Sequence, residues 1–408
     1  MSRRVRSATA LGAAVGVVLL SAACSSGSSG ASTGGSSVTV GLATTLSGSL
    51  AQLGQDAERG VELAIADLNA KGGVLGKQVK LATEDNQVTP ATGTANARSL
   101  VLQHKAVALF GPISSAVAAA EQTVAAQYKV PLIDFMANDA GLQTKTFSKY
   151  SLQVVPNTTM EPRAAADYLA TKSAGKPITI GTFAPDYSFG HDSVSGFIDA
   201  LNALHVNYKL VNQQYPPLGE TNIAPFLSKL VAVAPDYVYN AQYGNDLVTF
   251  TKQAQKYNFF DKTTVIAMYG VQELGELGDQ IPAGTIDFNR APFWVMGDTV
   301  TPFVNEYKAK YGQLPPEWSL LGYTAVQTWA AGAKKAGDFD GTKVADALSG
   351  ATIPTIRGNI TLRSCDNQAE IPEYVGVLTD TPDQKYGVPL WQPGSAFTAP
   401  FDKISTSC

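Results

Sequence analysis

The feature that most constrains this chain is a pattern that runs once and then starts again. From Val38, short apolar runs alternate with stretches whose apolar residues recur at helical spacing. VTVGLA leads to a helix carrying Ala57, Val61, Ala64, Ile65 and Leu68; QVKLATED leads to a helix through Ala95 and Leu102; VALFGP leads to a helix from Ser115 to Gln127, and VPLIDF closes the series. ITIGTF then opens a second series of the same type. A helix around Val194 to Leu204, VNYKLVNQQY, a helix near Ile223 to Val233, DYVYNAQ, a helix near Leu247 to Tyr257 and TTVIAMYG continue it. Short apolar runs flanked by helices are parallel strands covered on both faces. The expectation is an α/β fold with two doubly wound units in tandem. A chain of 408 residues exceeds the length at which single cores usually stop growing, roughly 250 to 300 residues, which fits two units. Beyond Gly284 the pattern predicts two more helices, around Thr301 to Tyr311 and Ser319 to Ala336, and strand-like segments in GNITLRS and YVGVLTD.

The first residues do not belong to that pattern. MSRRVRSATALGAAVGVVLLSAAC places Arg3, Arg4 and Arg6 before an apolar run from Ala8 to Leu20, then small residues ending in Cys24. That run is shorter than the roughly 20 residues a membrane-spanning helix needs. It reads as an export signal, residues 1–23, removed on maturation. LSAAC resembles a bacterial lipobox, which makes Cys24 the expected lipidated N-terminus. Residues 24–37 continue with Ser, Gly, Ala and Thr, the composition of a flexible tether with a reach of about 20 Å. The expected location is extracytoplasmic, anchored to the outer face of the bacterial cell membrane.

Composition removes several classes. A net charge of −4 with no dense Lys/Arg cluster excludes a nucleic-acid partner, and three His with three Cys leave few ligands for a metal site. No HExxH, CxxC or GxSxG occurs. GGVLGKQ has the wrong spacing for a phosphate loop and lies between a helix and a strand, so it reads as a helix stop. SAGK, at Ser173 to Lys176, lacks the partner motifs of penicillin-recognising enzymes, and His191 is a lone loop histidine. An enzyme is not expected, nor is a cofactor.

In open α/β sheets ligands sit outside the carboxyl ends of strands. Here those ends carry small hydroxyls, amides and aromatics. GPISS sets Ser114 and Ser115 at a helix N-terminus, where free N–H groups and the helix dipole suit a carboxylate. DFMAND brings Asn138, and the second series brings Tyr187, Phe189, Asn240 and Tyr243 to equivalent places.

These residues carry a resemblance. LSGSLAQLGQDAERGVELAIADLNAKGGVLGKQVKL, GPISS, VPLIDFMAND, DYSFG and DYVYNAQYG resemble, in order, the type I periplasmic binding proteins of the leucine/isoleucine/valine class that feed ABC transporters; the similarity spans Val38 to about Leu378. The resemblance implies two Rossmann-like lobes with parallel sheets, joined by a three-crossover hinge and closing on a small solute. It implies lobe 1 from 38–155 plus 290–363 and lobe 2 from 156–289 plus 364–408. Ser115 and Asn138 match positions that hold a ligand carboxylate, and Phe189 and Tyr243 match aromatic wall positions. Amino-acid binders place a carboxylate after the strand read here as TVIAMYG, to hold the ligand ammonium. This chain has Met268, Tyr269 and Gly270 there, with Glu273 a few residues on. Uncharged or aromatic carboxylates and amides therefore compete with amino acids as ligands. Met136, Tyr269 and Gly270 complete the set of expected ligand-binding residues. The expected partners are a small-molecule solute, an ABC permease and, through the anchor, the membrane, with the protein a monomer. A ligand-sensing receptor lipoprotein that presents its closed form to a signalling partner is the alternative.

The C-terminal stretch TPDQKYGVPLWQPGSAFTAPFDKISTSC has four prolines and no sustained period, so little backbone pairing is expected to hold it. With Cys24 taken by lipid, Cys365 and Cys408 remain, and export puts them where disulfides form; a bond between them is expected to fix the tail.

Overall fold

The computed structural model describes residues 37–405. The expected signal, the Cys24 anchor, nearly all of the tether and Cys408 lie outside the described residues. The chain begins with β1 (Ser37–Thr44), α1 (Ala51–Ala70), β2 (Gln78–Asp85), α2 (Pro90–Leu102), β3 (Ala106–Phe110), α3 (Ser115–Tyr128), β4 (Leu132–Asp134) and β5 (Ser151–Gln153). These strands form one parallel sheet in the order β2-β1-β3-β4-β5. Val40, Leu42, Ala108, Phe110 and Ile133 are buried on it, as short apolar runs between helices require.

The second series follows as α4 (Met160–Ser173), β6 (Ile178–Phe183), α5 (Ser188–Ala203), β7 (Tyr208–Gln214), α6 (Ala224–Val233), β8 (Tyr237–Asn240), α7 (Gly244–Gln255), β9 (Thr264–Ala267), α8 (Val271–Leu277) and β10 (Ile286–Asn289). Then come α9 (Thr301–Tyr311), α10 (Glu317–Ala336), α11 (Gly341–Leu348), β11 (Thr352–Thr355), β12 (Gly358–Leu362), β13 (Ala369–Glu370), β14 (Glu373–Pro382), β15 (Pro389–Trp391), β16 (Phe397–Ala399) and α12 (Phe401–Ile404). The second sheet runs β15-β14-β10-β9-β8-β6-β7, with β16 also on β14, while β11, β12 and β13 make a small antiparallel sheet.

The chain passes between the two large sheets three times. It leaves the first after β5, returns after β10 to lay α10 along α1, and leaves again between β13 and β14. The α1/α10 crossing is close, because Gly60 faces the Ser319 backbone and a Cβ at Gly60 would collide with it. Buried polar groups tie the passages together. Arg357 donates Nη2 to Arg290 O at 2.6 Å and Nη1 to Val154 O at 3.4 Å. Gln368 donates Nε2 to Val155 O at 2.9 Å, and Asn157 donates Nδ2 to Gln368 Oε1 at 3.2 Å. Backbone groups that leave a sheet still need partners, and these side chains supply them.

The C-terminal stretch corrects an expectation. It is paired, not loose: β15 and β16 both run antiparallel to β14, and Trp391 is buried with its Nε1 donating to Asp287 Oδ2 at 2.5 Å. The prolines hid this because they stand at strand ends, Pro389 opening β15 and Pro400 following β16, where no ladder donor is lost. Cys365 lies in the turn after β12. Among the described residues no helix is long and apolar enough to cross a membrane.

Candidate functional site

A narrow cavity opens between the carboxyl ends of the two sheets. Ile113 reaches it from the loop after β3, Met136 and Asn138 from the loop after β4. Tyr187 and Phe189 come from the β6 end, Tyr243 from the β8 end, Arg290 from the residue after β10 and Trp318 from the first turn of α10. A second narrow cavity shares Phe189, Tyr243 and Arg290 and adds Glu161, Gln242 and Met268.

Three rings make one wall. Phe189 packs against Tyr187 and edge-on against Tyr243, with centroids 5.8 and 5.7 Å apart. The Tyr187 and Tyr243 hydroxyls share a hydrogen bond of 2.8 Å. Burial raises the pKa of both, so they stay protonated and keep a proton to donate.

The opposite side is polar and buried. Asp134 Oδ1 accepts from the N–H of Met136 at 3.1 Å and of Ala137 at 3.0 Å, which curls the loop after β4 and delivers Asn138. Asn138 Nδ2 donates to Glu161 Oε2 at 2.6 Å. Arg290 binds both Glu161 oxygens, Nε to Oε1 and Nη2 to Oε2 at 3.3 Å, and donates Nη1 to Met136 O at 3.3 Å. Its guanidinium lies 5.1 Å over the Trp318 ring. Burial raises the Glu161 pKa and Arg290 works against that; burial also pulls the Arg290 pKa down, but Glu161, with Glu373 and Glu317, raises it on balance. The charge in the wall is therefore a mutually satisfied pair spanning 129 positions of sequence.

Of the residues singled out from sequence, Met136, Asn138, Tyr187, Phe189 and Tyr243 come together in this cavity. Ser114 and Ser115 stand beside it. Ser114 caps α3 by position without a side-chain capping bond, and Ser115 Oγ accepts from Asp139 N at 3.3 Å, bracing the Asn138 loop. Tyr269 is turned into the core of the second sheet, where its hydroxyl pairs with Thr251 at 2.7 Å. Gly270 caps α8, and a Cβ there would collide with the Glu317 carboxylate. Sequence reasoning did not single out Ile113, Arg290 or Trp318. An arginine between apolar residues in FNRAPFW was the available signal for Arg290.

Glu273 does not face the cavity as a free carboxylate. Its oxygens accept from Gly244 N at 3.1 Å and Gly270 N at 3.0 Å, closing the N-termini of α7 and α8. Burial lifts its pKa from 4.5 to about 7, and burial followed by Glu273 lifts that of Glu317. A carboxyl whose pKa is raised by folding binds more protons folded than unfolded, so its penalty is absent below about 4.5, grows with pH and is complete above about 7. This contribution is on the order of 3 kcal/mol at most. Urea unfolding is expected to show greater stability at pH 5 than at pH 8, with the fall flattened in Glu317→Gln. Stability rising across that interval would contradict the assignment.

The family model for periplasmic binding protein matches residues 37–382. Leu/Ile/Val-binding protein homolog 7 of Brucella abortus (strain 2308) is 27% identical over 345 residues, covering 79% of this chain and 84% of its own length. A periplasmic binding protein from Burkholderia mallei superposes with a TM-score of 0.82 at 21% identity, covering 91% of this chain and 96% of that one. A solute binding protein of an ABC transporter from Rhodopseudomonas palustris BisB5, solved in complex with 3,4-dihydroxy benzoic acid, gives 0.80 at 21% identity, covering 89% and 98%. The structural likenesses show a shared α/β fold with parallel sheets, and the family match takes in both sheets and the three passages between them. The chain belongs to the periplasmic binding protein family.

Proposed function

We propose that this protein captures a small organic solute between its two sheet units and delivers it to an ABC importer. The observation that carries the reading is the cavity itself: an aromatic wall and a buried Arg290–Glu161–Asn138 group meet where the carboxyl ends of two sheets face each other. The units act as lobes, 38–155 with 290–363 and 156–289 with 364–408, and ligand closes them by hinge motion at the three passages. Relatives named for leucine, isoleucine and valine, and one solved with 3,4-dihydroxy benzoic acid, bring amino acids and aromatic acids into consideration. Mass spectrometry of the protein purified without added ligand, then denatured, tests this. A small molecule released in near-stoichiometric amount is the expected result; no retained solute, together with no saturable binding of any amino or aromatic acid, would contradict it.

The N-terminal reading belongs to the same proposal. Signal cleavage before Cys24 and lipidation of its thiol would hold the binding protein at the outer face of the membrane beside its permease. An intact mass matching a chain that starts at Cys24 and carries acyl groups is expected; an unmodified Cys24 would contradict the anchor. A Cys365–Cys408 bond would close the tail onto the turn after β12, and thiol titration of the unfolded, unreduced protein would then find neither thiol reactive.

A further inference from the structure

We infer, resting on the solute-binding reading, that the ligand is a small aromatic carboxylate without an ammonium group, with a ring hydroxyl received by Gln242. The first reason is what the cavity lacks. An ammonium buried there would need a carboxylate, since an unpaired buried charge is strongly disfavoured. Glu161 is engaged by Arg290 and Asn138, and Glu273 by the N–H groups of Gly244 and Gly270. Glu317 lies behind Gly270, and neither it nor the buried Glu373 lines either cavity.

The second reason is what the walls offer. Trp318 Nε1 is buried and has no hydrogen-bond partner, although its ring lines the cavity between the two sheets. Arg290 Nη1 holds only the long bond to Met136 O, and the tyrosine pair retains one proton to donate. Trp318 Nε1 is a donor without an acceptor and Arg290 Nη1 and the tyrosine pair have donor capacity left over, an arrangement that receives a carboxylate. The wall of Tyr187, Phe189 and Tyr243, whose rings already meet face and edge at 5.8 and 5.7 Å, offers an aromatic ligand partners of its own kind once the lobes open to admit it. On the far side, Gln242 Oε1 is also buried without a partner, and it lines the adjoining cavity that shares Phe189 and Tyr243. An orphaned acceptor there suits a hydroxyl on the ring.

Titration calorimetry of the full mature protein with benzoate, 4-hydroxybenzoate, phenylalanine and leucine tests the assignment. Both benzoates are expected to bind at least about 100-fold more tightly than either amino acid, with 4-hydroxybenzoate ahead of benzoate by about 5-fold. Gln242→Leu is expected to abolish the preference between the two benzoates, and Trp318→Phe to weaken both about 5- to 20-fold while the melting temperature holds. Leucine or phenylalanine binding as tightly as benzoate would overturn the ligand class and leave solute binding intact. Equal affinity for the two benzoates would overturn the role of Gln242. If none of the four binds and the purified protein carries no solute, the solute-binding reading falls with the assignment.

Discussion

Arg290→Ala is expected to lower the unfolding free energy by about 3–5 kcal/mol, the range for removing one partner of a buried ion pair. Glu161, 1% exposed, would be left with Asn138 as its remaining side-chain donor, and Glu373, buried with both oxygens unpartnered, would lose one of the two cations, Arg290 and Arg357, that offset its burial. The loss comes from stranding these acids more than from the attraction itself. Arg290→Met combined with Glu161→Gln is therefore expected to recover much of the stability, since it removes both formal charges. Urea unfolding at pH 7 measures both variants. A loss below about 1 kcal/mol in Arg290→Ala would mean that solvent reaches the pair and that the wall is not the dry, charge-neutral surface described above.

Trp391→Ala carries a comparable expectation, about 3–5 kcal/mol for truncating a large buried aromatic. Its ring covers Gly376 of β14, packs edge-on against Trp294 with centroids 5.5 Å apart, and donates to Asp287, whose other carboxylate oxygen accepts from Tyr269 N. Asp287 sits in β10 between the two sheets' passages, so the C-terminal strands support the strand that presents Arg290. Limited proteolysis is expected to cut the variant within residues 383–396 before the rest of the chain. A variant as stable and as resistant as the parent would contradict the role given to the tail.

The elements legible in the sequence were those with a strong period and no polar interruption. VALFG and ITIGTF read as strands because nearly every residue is buried between two helical layers, and α1 read as a helix because Ala57, Val61, Ala64, Ile65 and Leu68 keep one face to the core. β10 escaped notice because four residues, IDFN, include an acid and an amide whose burial is explained by distant partners, the Tyr269 backbone and Trp391, and by Ala291 N. α4 escaped because Pro162 and Arg163 interrupt its opening turn.

The same division runs through the site. Met136, Asn138, Tyr187, Phe189 and Tyr243 follow foreseen strands directly, so the rule that ligands gather at strand ends reaches them. Arg290 depends on an unforeseen strand and on Glu161 in an unforeseen helix; neither spacing nor composition joins them. Trp318 stands in the first turn of α10 after Pro315 and Pro316, one residue before the start at Ser319 that the apolar period marks. Tyr269 and Gly270 follow a strand end as well, yet Thr251 draws the tyrosine inward and Glu317 leaves the glycine no room for a side chain.

The most direct test of the central claim, that solute is held at the Trp318–Arg290 wall, is tryptophan fluorescence during titration with 4-hydroxybenzoate. Trp318 is one of four tryptophans, all among the described residues, and the only one of them in the wall of the cavity between the two sheets. A saturable change in the wild-type protein that disappears in Trp318→Phe, with calorimetry still recording binding, is the result this structure leads to. A saturable change that survives Trp318→Phe unaltered would place the solute elsewhere.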